Sequence, residues 1–393
     1  MRSDSHLIFV SHTDVKDPGS WSGIPHNIFA GLSHHFAEIS LISPVEDRTG
    51  KYRQQARLTR LINKFSGRIP PPPAGWYQYN PQLQRESARK VKALARPDSV
   101  VFGIFPDLLV DVPESIPWGF FSDATFASLK ELYFSEKVMD PVVAHHGNRS
   151  WRAAARKASF AAFASTWARD SMVEDFGMDE AKATALPMGA NLIPPSAYDL
   201  EEVLGDREKG PCRLLWIGSD WERKQGNLVL EVARECSRKL EREIRLDMVG
   251  AKPPERIEAE GFQFFHHGRL NLREHRKELC ELFEQANYFI MPSKAECFGI
   301  VYAEAAAFGC PSFAIETGGV KDAVIHGQTG YLFTSGAFME QTVEKIVDLE
   351  ASPMAYEQLC HSGRDRYWSS FNWDCFNEQL AGLIKSAARS VPD

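Results

Sequence analysis

Twice along this chain a short apolar run gives way to a glycine-bearing loop and then to a segment whose apolar residues recur at helical spacing. The first instance opens with His6-Leu-Ile-Phe-Val10, crosses a Ser-, Asp- and Gly-rich stretch from Ser11 to Gly23, and continues from Ile24 to Phe36 with Ile28, Leu32 and Phe36 on one side. The second opens with Arg213-Leu-Leu-Trp-Ile217 and leads through Gly218 and Gly226 into a helix-spaced stretch from Asn227 to Lys239. Further strand-like runs stand at Ile39–Ile42, Ser99–Phe105, Trp118–Phe121, Ala161–Ala164, Leu246–Val249, Gln263–Phe265, Tyr288–Met291 and Pro311–Ile315, with helical spacing over Glu274–Gln285 and Gly299–Phe308. Strands that alternate with helices in this way predict an α/β protein built on parallel, helix-covered sheets. The run Pro70 to Pro73 is extended and closes the helix-like stretch before it.

A chain of 393 residues is too long for one ordinary core and suits two α/β domains of roughly 150–200 residues each. The restart of the alternation places an N-terminal domain at 1–192, a linker at 193–210 marked by Pro194, Pro195 and the polar segment Asp199–Lys209, and a C-terminal domain at 211–372. A terminal helix over 373–393, with Phe376, Leu380 and Ile384 spaced by four, is expected to cross back to the first domain. Two such domains imply a cleft.

Composition narrows the function. A net charge of −7 argues against nucleic acid as a partner, since phosphate-backbone binding rests on surplus Lys and Arg. The seven cysteines show no CxxC and no Cys/His ligand spacing, so neither a disulfide framework nor zinc is indicated, and most should be buried small hydrophobes. The pairs His145–His146 and His266–His267 lack a third ligand at useful spacing and read as surface residues. The opening MRSDSHLIFVSHTD has only a four-residue apolar run, and no eighteen-residue apolar segment follows, which predicts a cytoplasmic protein.

Two constellations carry chemistry. In Met291-Pro-Ser-Lys-Ala-Glu296-Cys-Phe-Gly299-Ile300 through Glu304, Glu296 falls in a strand-to-helix turn and Glu304 about one and a half turns into the helix. Ligands of parallel sheets lie outside the carboxyl ends of the strands, where this turn is expected. Its helix start offers backbone N–H groups suited to a diphosphate, and a carboxylate beside it can accept from sugar hydroxyls. In Trp216-Ile-Gly218-Ser-Asp-Trp-Glu-Arg223-Lys224-Gln-Gly226, paired cations on a loop between strand and helix suit a pyrophosphate and the charge that builds on it as a leaving group. That role needs no metal and no cofactor.

These residues resemble the retaining GT-B glycosyltransferases that include bacterial lipopolysaccharide-core and mannosyl transferases, and the resemblance covers nearly the whole chain. It implies a GT-B fold with two Rossmann-like domains facing a central cleft. Glu296 to Glu304 matches the family's Glu-x7-Glu motif. By that match Glu296 would meet the donor sugar's hydroxyls and Glu304 the nucleotide ribose. The backbone amides of Phe298, Gly299 and Ile300 would lie near the sugar and diphosphate, and Arg223 and Lys224 on the diphosphate. Gly23 resembles the glycine loop that faces the phosphates, Gly218 precedes the basic pair, and Arg269 and Leu270 fall where the base is held. Gly318-Gly-Val-Lys-Asp322 and Gly327-Gln-Thr-Gly330 resemble the family's C-terminal glycine turns.

The sequence departs from the pattern in two places. Where many members carry a histidine near the reacting carbon, this chain reads Phe121-Ser-Asp123-Ala-Thr-Phe126, so Asp123 or Ser122 takes that place, and the aromatic-rich stretch Phe121–Phe134 is where an acceptor site is expected. Ser219 stands where some members have a first cation. The resemblance implies transfer of a hexosyl group from a UDP- or GDP-sugar to a glycan, lipid-linked or small-molecule acceptor in polysaccharide or envelope assembly. A sugar-nucleotide epimerase on the same plan and a silent nucleotide-sugar-binding protein are the alternatives. A dehydrogenase is disfavoured because no GxGxxG follows the first strand. The basic residues Lys51, Arg53, Arg57, Arg60, Lys64 and Arg68, with Leu58, Leu61, Ile62 and Phe65 among them, fit either a surface helix packed on the N-terminal sheet or one at the inner face of a membrane that touches anionic lipid.

Overall fold

The structure is a computed structural model that describes residues 3–43, 45, 81–133, 141–254 and 257–389. The basic stretch 51–68, the proline run and Phe134 lie outside these residues. The chain divides into two compact units, Met1–Leu186 with Asn377–Asp393, and Pro187–Phe376.

In the first unit six strands form one sheet: β1 (Ser3–Val10), β2 (Phe36–Ile42), β3 (Ser99–Ile104), β4 (Trp118–Ser122), β5 (Phe160–Phe163) and β6 (Ala183–Ala185). They pair in parallel in the order β2-β1-β3-β4-β5-β6. Leu7 to Val10 and nearly the whole of β3 and β4 are solvent-free, as expected for strands covered on both faces. Among the polar groups buried there, His6 joins three strands, with Nδ1 2.8 Å from Ser99 Oγ and Nε2 2.8 Å from Ser40 Oγ. The helices are α1 (Ile24–His35), α2 (Pro81–Leu94), α3 (Phe126–Tyr133), α4 (Pro141–Lys157) and α5 (Thr166–Glu174). The far end of the terminal helix belongs here too. Asn377 lies against Gly31 of α1, where any Cβ would stand 2.1 Å from its amide nitrogen.

The second unit carries β7 (Cys212–Gly218), β8 (Ile244–Gly250), β9 (Gln263–His266), β10 (Tyr288–Met291), β11 (Ser312–Ile315) and β12 (Gly330–Phe333), parallel in the order β12-β11-β10-β7-β8-β9. Counted from β7, this is the doubly wound order 6-5-4-1-2-3, with its topological switch point between β7 and β10. Its helices are α6 (Leu200–Lys209), α7 (Gly226–Lys239), α8 (Arg276–Gln285), α9 (Ile300–Ala307), α10 (Val320–Ala323), α11 (Phe338–Glu350), α12 (Pro353–Ser369) and the start of α13 (Trp373–Arg389). Six of the seven cysteines are buried and none is bonded to another.

The segment 193–210, expected as a linker, is instead structured and lies wholly inside the second unit. The change of unit comes earlier, at Leu186/Pro187. Asp199 caps α6 by accepting from the Glu201 N–H at 2.9 Å, and Leu204 and Arg207 are the helix's buried residues. A buried side chain that carries a charge made this segment read as a polar linker.

Arg207 has a structural task. Its guanidinium donates to the carbonyls of Phe283 (3.0 Å) and Glu284 (2.9 Å) at the end of α8, and to those of Phe308 (3.1 Å) and Gly309 (2.9 Å) just past α9. Tyr198 adds a hydroxyl to the Phe308 carbonyl at 2.6 Å, and Arg364 donates to the carbonyl of Ala307. The last carbonyls of a helix have no partner within it, and a fixed cation satisfies both them and the helix dipole. Arg207→Met, which keeps the stem and removes the donors, is expected to lower unfolding stability by about 2–4 kcal/mol, read as a shift in denaturant midpoint. A shift within experimental error would contradict this role.

Candidate functional site

The loops that follow β7 and β10 flank the switch point of the second sheet, and each is held by specific contacts. In the first, Gly218 is required because a Cβ there would stand 2.5 Å from the Trp216 ring and 2.9 Å from the Lys224 stem. Asp220 turns the loop back by accepting from the Arg223 N–H at 3.0 Å. Gln225 takes a left-handed conformation (φ 51°) and donates through its side-chain amide to the Pro292 carbonyl at 2.5 Å, which ties the two loops together. The Lys294 N–H closes the same tie on the Arg223 carbonyl at 2.8 Å.

The second loop ends on Gly299, whose φ of 81° lies in the left-handed region, and a Cβ there would meet the Tyr302 ring at 2.6 Å. Tyr302 is pinned in turn by its hydroxyl, which donates to the Met291 carbonyl at 2.7 Å. The Phe298 side chain is buried and packs edge-on against Phe371, so only its main chain is available to a ligand. Ile300 opens α9, where the first N–H groups have no partner inside the helix.

Between the loops the charges converge on one atom. Glu296 Oε2 lies 3.3 Å from Arg223 Nη1, 3.4 Å from Lys224 Nζ and 3.4 Å from Ser293 Oγ. The other carboxylate oxygen makes no hydrogen bond among the described residues. Arg223 Nη1 also donates to the Ala295 carbonyl at 2.6 Å, and Lys224 Nζ sits 2.9 Å from Met291 Sδ. Burial lowers the Lys224 ammonium below its ordinary range, while Glu296 pulls in the opposite direction. Arg223 Nε also lies 3.9 Å from Oδ2 of the exposed Asp220, so one enclosed and one exposed carboxylate face two cations held at the carboxyl ends of β7 and β10, where a polyanion could take over from either.

Glu304 is buried on α9, whose residues from Val301 to Ala307 are all buried. Its Oε1 accepts from the Leu192 N–H at 3.3 Å. Desolvation pushes its carboxyl up to about 7, while hydrogen bonds from the Leu192 and Asn191 main chain and the charges of Arg276 and Lys224 oppose the rise. The loop after β9 holds Gly268 (φ 71°), an exposed Arg269 and a half-buried Leu270, and is fastened to the loop after β8 through Gly250 N–H and Gly268 O at 2.7 Å. Beside it, burial works against ionisation of Asp247, but hydrogen bonds from His267 and Arg245 outweigh it and hold that carboxyl below its usual range.

The second unit thus gathers Gly218, Arg223, Lys224, Glu296, Phe298, Gly299, Ile300 and Glu304 on two adjoining loops and one helix. Gly23 and Asp123 belong to the first unit. Gly23 caps α1 with φ 77°, and Asp123 is half-buried in the bend after β4. The neighbouring Ser122 is fully buried and donates its hydroxyl to the Ala124 carbonyl at 2.6 Å. Sequence reasoning missed Ser293, Asp220, Gln225 and Met291. Of these only Ser293 left a signal, being a hydroxyl three residues before Glu296.

The raised Glu304 has a consequence for stability. Between its ordinary value of 4.5 and about 7 the folded protein keeps a proton that the unfolded chain has released, so folding takes up a proton and stability falls as pH rises through this window. The unfolding free energy of the protein relative to Glu304→Gln is expected to drop by about 3 kcal/mol from below pH 4.5 to well above pH 7. Denaturation series across pH check this, and a difference that does not vary with pH would contradict it.

Comparison with known proteins adds to this geometry. Residues 205–366 match the family model described as glycosyl transferases group 1. A glycogen synthase of Mycobacterium tuberculosis is 33% identical over 114 residues, 28% of this chain and 27% of the relative. A D-inositol 3-phosphate glycosyltransferase of Geodermatophilus obscurus is 26% identical over 234 residues, 56% of this chain and 51% of the relative. The matches thus span about a quarter to a half of those relatives' lengths. Among solved structures, Anabaena Alr3699/HepE in complex with UDP superposes with a TM-score of 0.65 at 15% identity, over 98% of this chain and 100% of that one, which is a likeness of fold. The chain therefore has the GT-B fold, and its segment 205–366, which carries Arg223, Lys224, Glu296 and Glu304, matches the group 1 glycosyl transferases.

Proposed function

We propose that this chain is a retaining glycosyltransferase that moves a hexosyl group from a UDP- or GDP-sugar to a hydroxyl of a glycan, lipid-linked or small-molecule acceptor. The observation that carries the reading is the convergence of Arg223, Lys224 and Ser293 on Glu296 at the switch point of the second sheet. A diphosphate brought to this point would take over the two cations, which are already held, Arg223 by the Ala295 carbonyl and Lys224 by Met291 Sδ at its ammonium and by the Trp216 indole N–H at its carbonyl. Preorganised charge of this kind costs no reorganisation when negative charge builds on the leaving group. The first N–H groups of α9 add partial positive charge, and the unengaged oxygen of Glu296 is placed to accept from a sugar hydroxyl.

In this reading the acceptor oxygen bonds to the anomeric carbon on the face from which the diphosphate leaves. The acceptor's proton passes to a phosphate oxygen of the leaving group, and the anomeric configuration is kept. Envelope or exopolysaccharide assembly fits a relative named for capsular polysaccharide biosynthesis in Staphylococcus aureus, 27% identical over 117 residues.

The test is a transfer assay with labelled UDP- and GDP-hexoses and simple glycoside acceptors, with the product's anomeric configuration read by NMR. The expected result is a product of retained configuration, with turnover reduced about 10²–10³-fold in both Arg223→Ala and Lys224→Ala. An inverted product, or full turnover in both variants, would reject the proposal. A free epimerised sugar nucleotide formed without acceptor would favour the epimerase alternative.

A further inference from the structure

We propose that His12 and Asp107, with the rings of Trp21 and Phe105, form a binding site for the acceptor's sugar ring and its attacking hydroxyl in the first unit. This rests on the glycosyltransferase reading above and adds residues that neither the motifs nor the comparisons assign.

The sheet order β2-β1-β3-β4 places a second topological switch point between β1 and β3, and ligands of such sheets bind outside the carboxyl ends of the strands at a switch point. His12 follows β1 and Asp107 follows β3, and His12 Nε2 lies 2.5 Å from Asp107 Oδ2. Asp107 is solvent-free, and its other oxygen, Oδ1, has no hydrogen-bond partner among the described residues. A buried carboxylate that keeps one oxygen unpaired destabilises the fold, and such groups persist where they have a task. An ionised carboxylate can only accept, so His12 must hold its proton on Nε2. In the neutral imidazole this fixes the tautomer and leaves Nδ1 as an acceptor, and Nδ1 makes no hydrogen bond among the described residues. The His12 side chain retains 12% exposure, enough for a ligand atom to reach it.

The backbone beside this pair is strained. Trp21 (φ 43°), Ser22 (φ 55°) and Phe105 (φ 65°) are three of the four non-glycine residues in the left-handed region among those described, and all three border this end of the sheet. The Trp21 and Phe105 rings, both partly exposed, lie 4.8 Å apart between centroids, on residues whose left-handed backbone is uncommon for bulky side chains. Aromatic faces beside a hydrogen-bond acceptor suit a sugar, whose C–H face packs on the rings while a hydroxyl points to the acceptor. Of Asp123 and Ser122, either of which stands where many members carry a histidine, Ser122 has its hydroxyl committed to the Ala124 carbonyl. His12 reaches the same end of the sheet from another strand. It accepts a hydrogen bond from the acceptor hydroxyl and orients it, and Asp107 acts as a positioning residue through the imidazole.

The experiment uses the full chain with labelled UDP- and GDP-hexoses and methyl glycosides of glucose, galactose, mannose and N-acetylglucosamine. Donor affinity is measured separately by calorimetry. Expected for His12→Ala is a fall of about 100-fold in kcat/KM for the acceptor, with donor affinity unchanged within about twofold. His12→Asn, whose amide oxygen can stand near the Nδ1 position, is expected to recover about tenfold, and Trp21→Ala to raise the acceptor KM about tenfold. Transfer by His12→Ala at the unaltered rate, or a loss of donor affinity as large as the loss of transfer, would overturn the proposal.

A second measurement decides the matter even if no donor–acceptor pair in the panel reacts. In a long-range ¹H–¹⁵N spectrum of histidine-labelled protein, His12 should show the Nε2–H tautomer and lose its preference in Asp107→Asn. An Nδ1–H tautomer for His12 would overturn the inference. Failure of the chain to bind any sugar nucleotide would instead count against the glycosyltransferase reading, and the tautomer bears on this site alone.

Discussion

Helix α9 is buried from its second residue to its last, and the candidate site depends on how its two ends are satisfied. Seven buried residues in a helical conformation leave N–H groups at one end and carbonyls at the other without partners inside the helix. At the carbonyl end Arg207, Tyr198 and Arg364 supply the donors, and Gly309 (φ 56°) lets the chain turn away where a Cβ would stand 2.8 Å from Leu200. At the amide end no side chain caps the helix, and the loop carrying Glu296 leads directly into it through Gly299. One end is closed by fixed cations from the protein. The other presents its dipole next to Arg223 and Lys224, and this asymmetry makes the amide end the place for an anion.

The same helix explains the contrast between the two glutamates. Glu296 shares its carboxylate with two cations and a hydroxyl, whereas Glu304, eight residues on, meets only main-chain donors and the more distant charges of Arg276 and Lys224. Burial therefore dominates at Glu304 and lifts its carboxyl to about 7. One motif yields an anion that organises a charge cluster and an acid whose charge state turns on small changes of environment.

Much of the fold was legible because most strands are short, wholly apolar runs; β10 matches its expected bounds, and several others differ by a residue or two. β6, with the sequence Ala-Thr-Ala, has too little apolar surface to be read as a strand, and α2 keeps only one narrow buried face. Helix α6 was hidden because one of its two buried members is an arginine, whose partners are carbonyls some 76 to 102 residues away. In the site, Arg223, Lys224 and Glu296 were legible from spacing. The tie from Gln225 to the Pro292 carbonyl was not, since it rests on a left-handed backbone that glutamine does not announce. His12 and Asp107 stand 95 positions apart, and only the adjacency of β1 and β3 brings them together.

The central claim is that Arg223 and Lys224 bind the diphosphate of a sugar nucleotide. Calorimetric titration with nucleoside mono- and diphosphates tests it without requiring an acceptor or turnover. UDP or GDP should bind at least about tenfold more tightly than UMP or GMP, a difference of about 1.4 kcal/mol, and the preference should vanish in the Arg223→Ala/Lys224→Ala double variant while monophosphate affinity changes little. Equal affinity for mono- and diphosphates in the unaltered protein, or a preference that survives in the double variant, would contradict the account.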